Sequence, residues 1–193
     1  VPAFSDLLDL RTAVVEQVGR PDMVDVFPRL VSLAEASFDR KLRMRDQITG
    51  TTLTLVSGTV ALPVDFQEII GVYNANGAEY VQQPLQMAQR SRNFYAIDGS
   101  NLTMRGFSGD VIAQYYAAIP TISASMAGTN WLLQRYPGVY LYGAALEAAK
   151  WMRDRELASD MAGLLNDEID QARGDDERAR YSRARVRVRG VTP

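Results

Sequence analysis

Neither cysteine nor histidine occurs among the 193 residues. The first absence excludes disulfides, thiolate zinc sites and cysteine nucleophiles. The second excludes Ser–His triads, histidine metal centres and imidazole bases, the groups best suited to acid–base chemistry near neutral pH. Long apolar runs are missing too. Nothing approaches the ~20 residues a membrane-spanning helix needs, and Val1 to Leu10 carry acids rather than an apolar core, so neither a membrane partner nor a signal peptide is expected. Only oxygen-ligand ions remain as metals, and no Asp-x-Asp-x-Asp-Gly loop is present. Gly106 and Gly109, just before Asp110, match neither a phosphate-binding loop nor a dinucleotide fingerprint. These absences leave no catalytic residue, metal site or cofactor to nominate, and the chain reads as a protein that is not an enzyme.

What is present is ordinary in amount and uneven in placement. Apolar residues make up 47% and charged residues 23%, as in a soluble globular domain. A chain of this length can bury roughly 70% of its unfolded surface, enough for a core of its own. The formal net charge is −2. Arg178, Arg180, Arg183, Arg185, Arg187 and Arg189 fall in the last stretch with no acid among them, so this end is +6 and the rest −8. A basic terminal arm on an acidic body is either a solvated tail or a partner-binding element.

Along the chain the hydrophobic period changes twice. Ser5 is placed to cap a first helix through Leu7, Leu8, Val14, Val15 and Val18, stopped by Gly19-Arg20-Pro21. Asp22 is placed to cap a second, through Val26, Leu30, Leu33, Ala34 and Phe38, with Pro28 in its second turn. From Gln47 a period of two takes over: Thr52–Leu55, Val60–Leu62, Gln67–Tyr73, Tyr95–Ile97, Leu102–Met104 and Val111–Ala117 read as strands. Ser57-Gly58, Asn74–Gly77 and Asp98–Asn101 supply turns between them, and Pro84–Arg92 reads as a short helix. After Pro120 the helical period returns. Asn130 or Thr129 caps a short turn, Pro137 opens a helix through Trp151, and a last helix runs from Leu157, with Gly174-Asp175-Asp176 as its interruption or end.

Three groupings could carry chemistry. Asp154, Glu156, Asp160, Asp167, Glu168 and Asp170 would serve a paired-carboxylate hydrolase, but they alternate with Arg153 and Arg155 as a solvated or subunit-facing helix surface does. Trp131, Tyr136, Tyr140, Tyr142 and Trp151 could stack bases, yet their spacing around an apolar segment reads first as core. The arm is the most specific. Arg183-Ala184-Arg185-Val186-Arg187-Val188-Arg189 alternates throughout, so as a strand it sets four arginines on one face and Ala184, Val186 and Val188 on the other. Such a segment can add to a partner's sheet; its arginines would equally meet DNA phosphates, which is the rival reading.

The order of these segments resembles the head–tail adaptors of tailed phages. The resemblance is carried by Thr59–Phe66 with its Leu-Pro-x-Asp-Phe, by Tyr115–Pro120, and by Asn130–Ala149, and it extends over about residues 5 to 175. It implies an α+β fold: an antiparallel helical bundle of about four main helices with a small inserted antiparallel β-domain and an extended C-terminal arm. The boundaries are 1–46 and 121–177 for the helices, 47–120 for the β-domain and 178–193 for the arm. It also implies a ring of copies, usually twelve, docked beneath the portal protein, extending the DNA channel and offering a surface to the tail or its stopper protein. The protein would then reside in the virion, and in the host cytoplasm during assembly. Arms in similar adaptors reach the portal, so Arg183, Arg185, Val186, Arg187, Val188 and Arg189 are the expected portal contacts. An acidic body suits a channel that must not grip passing DNA.

Overall fold

Capping decides where the first helices stand. In the computed structural model, which describes residues 3–181, α1 spans Leu7–Val18 and is capped by Asp6, whose side chain accepts from the Asp9 N–H. Ser5, the expected cap, instead donates its own N–H to the Asp9 carboxylate, so the cap stands one residue later than expected. Gly19 ends α1 with φ of 69°, a left-handed cap. Asp22 caps nothing. It pairs with Arg20 across a short 3-10 turn, and α2 begins only at Phe27, spanning Phe27–Lys41 with Pro28 in its first turn. There the missing N–H costs nothing.

The strands are β1 (Ile48–Leu55), β2 (Thr59–Ala61), β3 (Phe66–Tyr73), β4 (Glu79–Gln82), β5 (Phe94–Asp98), β6 (Asn101–Thr103) and β7 (Gly109–Ala117), with α3 (Leu85–Ala88) between β4 and β5. Three helices complete the order: α4 (Trp131–Arg135), α5 (Pro137–Met152) and α6 (Arg155–Tyr181). The chain divides into a β unit, Asp46–Ala118, and a helical unit formed by the segments on either side of it.

The expectation of a helical bundle with a small antiparallel insert is overturned. The β unit is one seven-stranded sheet in the order β1-β7-β3-β4-β5-β6-β2. It is mixed, because β4 and β5 run parallel, Val81 opposite Phe94 and Gln82 opposite Tyr95. It is also nearly closed, because its first and last strands are joined by the Ser57-Gly58 turn and bridge at Val56 and Thr59. Two physical facts hid this. The strand β4 is four residues long and mostly exposed, with no alternation to read. Closure is a matter of which strands meet, and local periodicity does not encode it. The barrel-like interior holds Leu53, Leu55, Val72, Tyr95, Leu102, Met104, Val111 and Ala113.

Gly58 makes the turn possible. Its φ is 86°, and a Cβ there would overlap the Met104 carbonyl oxygen, while Met104 N–H donates to the Gly58 carbonyl at 2.7 Å. Gly58→Ala therefore meets both a backbone penalty and a backbone collision. We expect a loss of about 2–3 kcal/mol in β-unit stability, read as a lower urea midpoint; an unchanged midpoint would refute this account of the turn.

Tyr95 gives the β unit an alkaline limit. Its side chain is 3% exposed, and burial, with Glu79 nearby as a lesser cause, pushes the phenol from 10.0 to about 12. Below pH 10 both folded and unfolded chains hold this proton. As pH rises from 10 toward 12 only the unfolded chain releases it, so stability is lost across that window, by about 3 kcal/mol at most. Tyr95→Phe should flatten the alkaline decline in chemical-denaturation curves. A decline of the same steepness in that variant would show that Tyr95 is not its source.

In the helical unit α2 buries Phe27, Leu30, Val31, Ala34 and Phe38, the spacing of one helix face. Against them lies α5, which buries Val139, Tyr140, Gly143, Ala144, Ala145, Ala148 and Ala149. Small residues let the two axes approach: a Cβ on Gly143 would come within 2.7 Å of Phe38 Cε1 and closer still to Cζ. Phe38 in turn meets Tyr140 edge-on, ring centroids 5.2 Å apart.

Two acids of α2 hold the segment after Ala118. Asp39 Oδ1 accepts the Ile119 N–H at 2.8 Å, and Glu35 Oε1 accepts the Ile122 N–H at 2.6 Å. Glu35 is 4% exposed and also accepts from the Ser123 hydroxyl at 2.7 Å and from Tyr140 OH at 3.2 Å. Asn130 completes the network, donating to Tyr140 Oη and to the Pro120 carbonyl while capping α4 at the Leu133 N–H. Every polar atom of this group has a partner, as a low-dielectric interior demands. Burial, with the Glu35 carboxylate beside it, raises the Tyr140 phenol well above the ordinary tyrosine range.

Candidate functional site

The C-terminal half of α6 is where the described structure meets the arm. The sequence places an interruption or end of this helix near Gly174. Instead α6 runs through Gly174 to Tyr181, which makes Arg178 and Arg180 helical. A glycine in a helix costs about 1 kcal/mol, and contacts on both sides of it outweigh that. The apolar stripe Met161, Leu165, Ile169 and Ala172 is continued one turn later by Asp176, at 5% exposure. Its carboxylate accepts the Arg45 N–H at 3.1 Å and pairs with Arg180 Nε at 2.7 Å. Hydrogen bonds to a charged group of this kind contribute about 1.5–3 kcal/mol each.

The same turns of α6 cap the end of α2. Arg173 Nη2 donates to the Lys41 carbonyl at 2.7 Å and Arg180 Nη2 to the Arg43 carbonyl at 3.3 Å. Arg43 itself donates to the Asp39 and Leu42 carbonyls at 2.6 Å. Carbonyls orphaned at a helix C-terminus are thus met by cations, as the helix dipole favours. The result is a cleft of about 310 Å³ lined by Lys41, Arg43, Arg173, Asp176, Glu177 and Arg180. Its cations serve the fold first, so this corner is a brace for the end of α6 rather than a preformed anion site.

The residues nominated from sequence as the portal-contacting arm, Arg183, Arg185, Val186, Arg187, Val188 and Arg189, lie outside the described residues. The acids weighed for hydrolysis lie within them and do not converge. Asp154 caps α6 by accepting the Leu157 N–H at 3.0 Å, and Asp170 pairs with Arg173. Glu168 lies over Gly138, where a Cβ would collide with its carboxylate; this places it beside the first turn of α5, the positive end of that helix. Glu156, Asp160 and Asp167 are exposed. Among the aromatics Tyr140 is core, Trp131, Tyr136 and Tyr142 pack against that core, and Trp151 is exposed beneath Arg20, whose guanidinium carbon is 6.0 Å from the ring centroid. That distribution is a packed unit rather than a stacking platform.

Sequence reasoning missed Glu35, Asp39 and Asp176. The one signal available was an acid on the apolar face of a helix: Glu35 beside Ala34 and Phe38, and Asp176 four residues after Ala172. Their partners are backbone N–H groups distant in sequence, which no local pattern reveals.

The chain matches no curated protein. It does match a family over nearly its whole length, residues 5–189, and the family is that of the SU10 adaptor protein. That span takes in the Leu-Pro-x-Asp-Phe segment, the Tyr115–Pro120 strand end and the α4–α5 sequence that carry the resemblance, so the chain belongs to the SU10 adaptor protein family, a family of phage head–tail adaptors.

Proposed function

We propose that this protein is a structural subunit of the phage head–tail connector, one that assembles as a ring beneath the portal, extends the DNA channel and presents a docking surface to the tail. The carrying observation is the family match over residues 5–189. The structure supports a scaffolding role: Asp154 caps α6, Asp170 and Asp176 pair with arginines of the same helix, and its last described turns are braced at the end of α2. In this reading the arm from Arg183 to Arg189 contacts the portal, and the protein resides in the virion.

The test is to mix the full chain with its portal and determine mass by light scattering and shape by negative-stain imaging. A ring, or a monomer that becomes a ring only on the portal, is expected. Replacing Arg183, Arg185, Arg187 and Arg189 with alanine should weaken portal binding at least about tenfold. Retained portal binding in that variant, with loss only of a steeply salt-dependent DNA affinity, would move the function to nucleic-acid binding.

A further inference from the structure

The nearly closed sheet is open at one place. Among the described residues β1 pairs along its length with β7 alone, and it meets β2 only at the Val56–Thr59 bridge. The two strands then part, since β2 ends at Ala61 and pairs with β6. On its second side, alternate N–H and C=O groups of an eight-residue strand therefore have no ladder. Exposed edges invite pairing, and proteins usually blunt them with charges, proline, bulges or short length. The strand β2 is three residues long, with Pro63 just beyond its end. In contrast β1, Ile-Thr-Gly-Thr-Thr-Leu-Thr-Leu, has no charge, no proline and no bulge against β7, and it is rich in β-formers. Such an edge is built to be covered.

We infer that the open edge of β1 receives the C-terminal arm, Arg183–Arg189, of a second copy of this chain, held there until a portal competes for it. Length agrees: seven residues of arm face eight of β1. The alternation agrees as well. An added strand lays one row of side chains beside Leu53 and Leu55, both buried at this edge, and Ala184, Val186 and Val188 are small enough to enter there. The opposite row, four arginines, would lie beside the outward Thr52 and Thr54, giving the uncharged edge the charges it lacks. Charge agrees in sign, because the β unit carries six acids (Asp46, Asp65, Glu68, Glu79, Asp98, Asp110) against three arginines, a net −3, and the arm carries +4. Main-chain hydrogen bonds supply affinity in such strand addition and the side-chain rows supply register. The inference rests on the connector reading in treating the arm as an assembly element.

Hydrogen exchange on the full chain, monitored across a concentration series together with light scattering, tests it. The open-side amides within Ile48–Leu55 should slow by about tenfold or more as copies associate. Val186→Pro, which removes a main-chain donor without altering charge, should abolish both the slowing and the association. Because it lies beyond Tyr181, the last described residue of α6, it should leave exchange elsewhere unchanged. The inference is overturned by association that survives Val186→Pro, by β1 amides indifferent to concentration, or by equal protection at all dilutions, which would mean a chain folding onto itself. Failure of the unaltered protein to form rings on a portal would instead sink the connector reading and leave this measurement as it stands.

Discussion

Glu35→Ala is expected to lower the stability of the helical unit by about 3–5 kcal/mol. The change removes the acceptor for three donors, the Ile122 N–H, the Ser123 hydroxyl and the Tyr140 hydroxyl. The two hydroxyls can turn, but the backbone N–H has no alternative, and each buried group left unpaired costs about 1–3 kcal/mol. Tyr140 also accepts from Asn130, the residue that caps α4, so the loss spreads through a network rather than ending at one bond. Glu35→Gln retains an oxygen for Ile122 and sets an NH₂ group against Ser123, whose hydroxyl can rotate to accept; about half the loss should remain. Urea denaturation monitored by circular dichroism reads both. A Glu35→Ala protein within about 1 kcal/mol of the parent would mean that water replaces the carboxylate and that the network is not a fastening.

Gly143→Val is the second large effect, and here two terms of opposite sign compete. Leaving glycine behind in a helix interior returns at most about 1 kcal/mol, and β-branched valine keeps only part of that gain. Against it stands the overlap with Phe38, which is fully buried and already held edge-on by Tyr140. Overpacking of a rigid core costs about 1–3 kcal/mol, and a clash through the ring of a locked phenylalanine belongs at the upper end. The net expectation is a loss of about 2–3 kcal/mol. Introduced into Phe38→Ala, the same valine enters space the ring has vacated, so the double variant should be more stable than the summed singles by about 1–3 kcal/mol. Simple additivity would show that Gly143 is small for some other reason.

These two positions show how legibility depended on range. Gly143 could be read as part of a small-residue seam because Gly143, Ala144, Ala145, Ala148 and Ala149 lie close together in sequence. Which residue fills the space above it could not, because Phe38 is more than a hundred positions away. Glu35 reads locally as one more helix acid. Only the return of the chain at Ile119–Ser123 gives it donors to bind.

Residue identity and local spacing were enough to exclude cysteine and histidine chemistry, to place the changes between helical and strand periods and the turns between strands, and to show the order of segments that marks the adaptor family. Each of these depends on residue identity or on spacing within a few positions, and side-chain sterics enforce such spacing in any fold. Tertiary structure alone decided that the β region is one nearly closed mixed sheet, with β4 and β5 parallel and β1 and β2 splayed apart. It alone carried α6 through Gly174, because the contacts that offset a glycine come from Arg45, Lys41 and Arg43 in another part of the chain. Strand partnership and buried polar contacts are set by the free energy of groups far apart in sequence, and that energy exists only once the chain has brought them together.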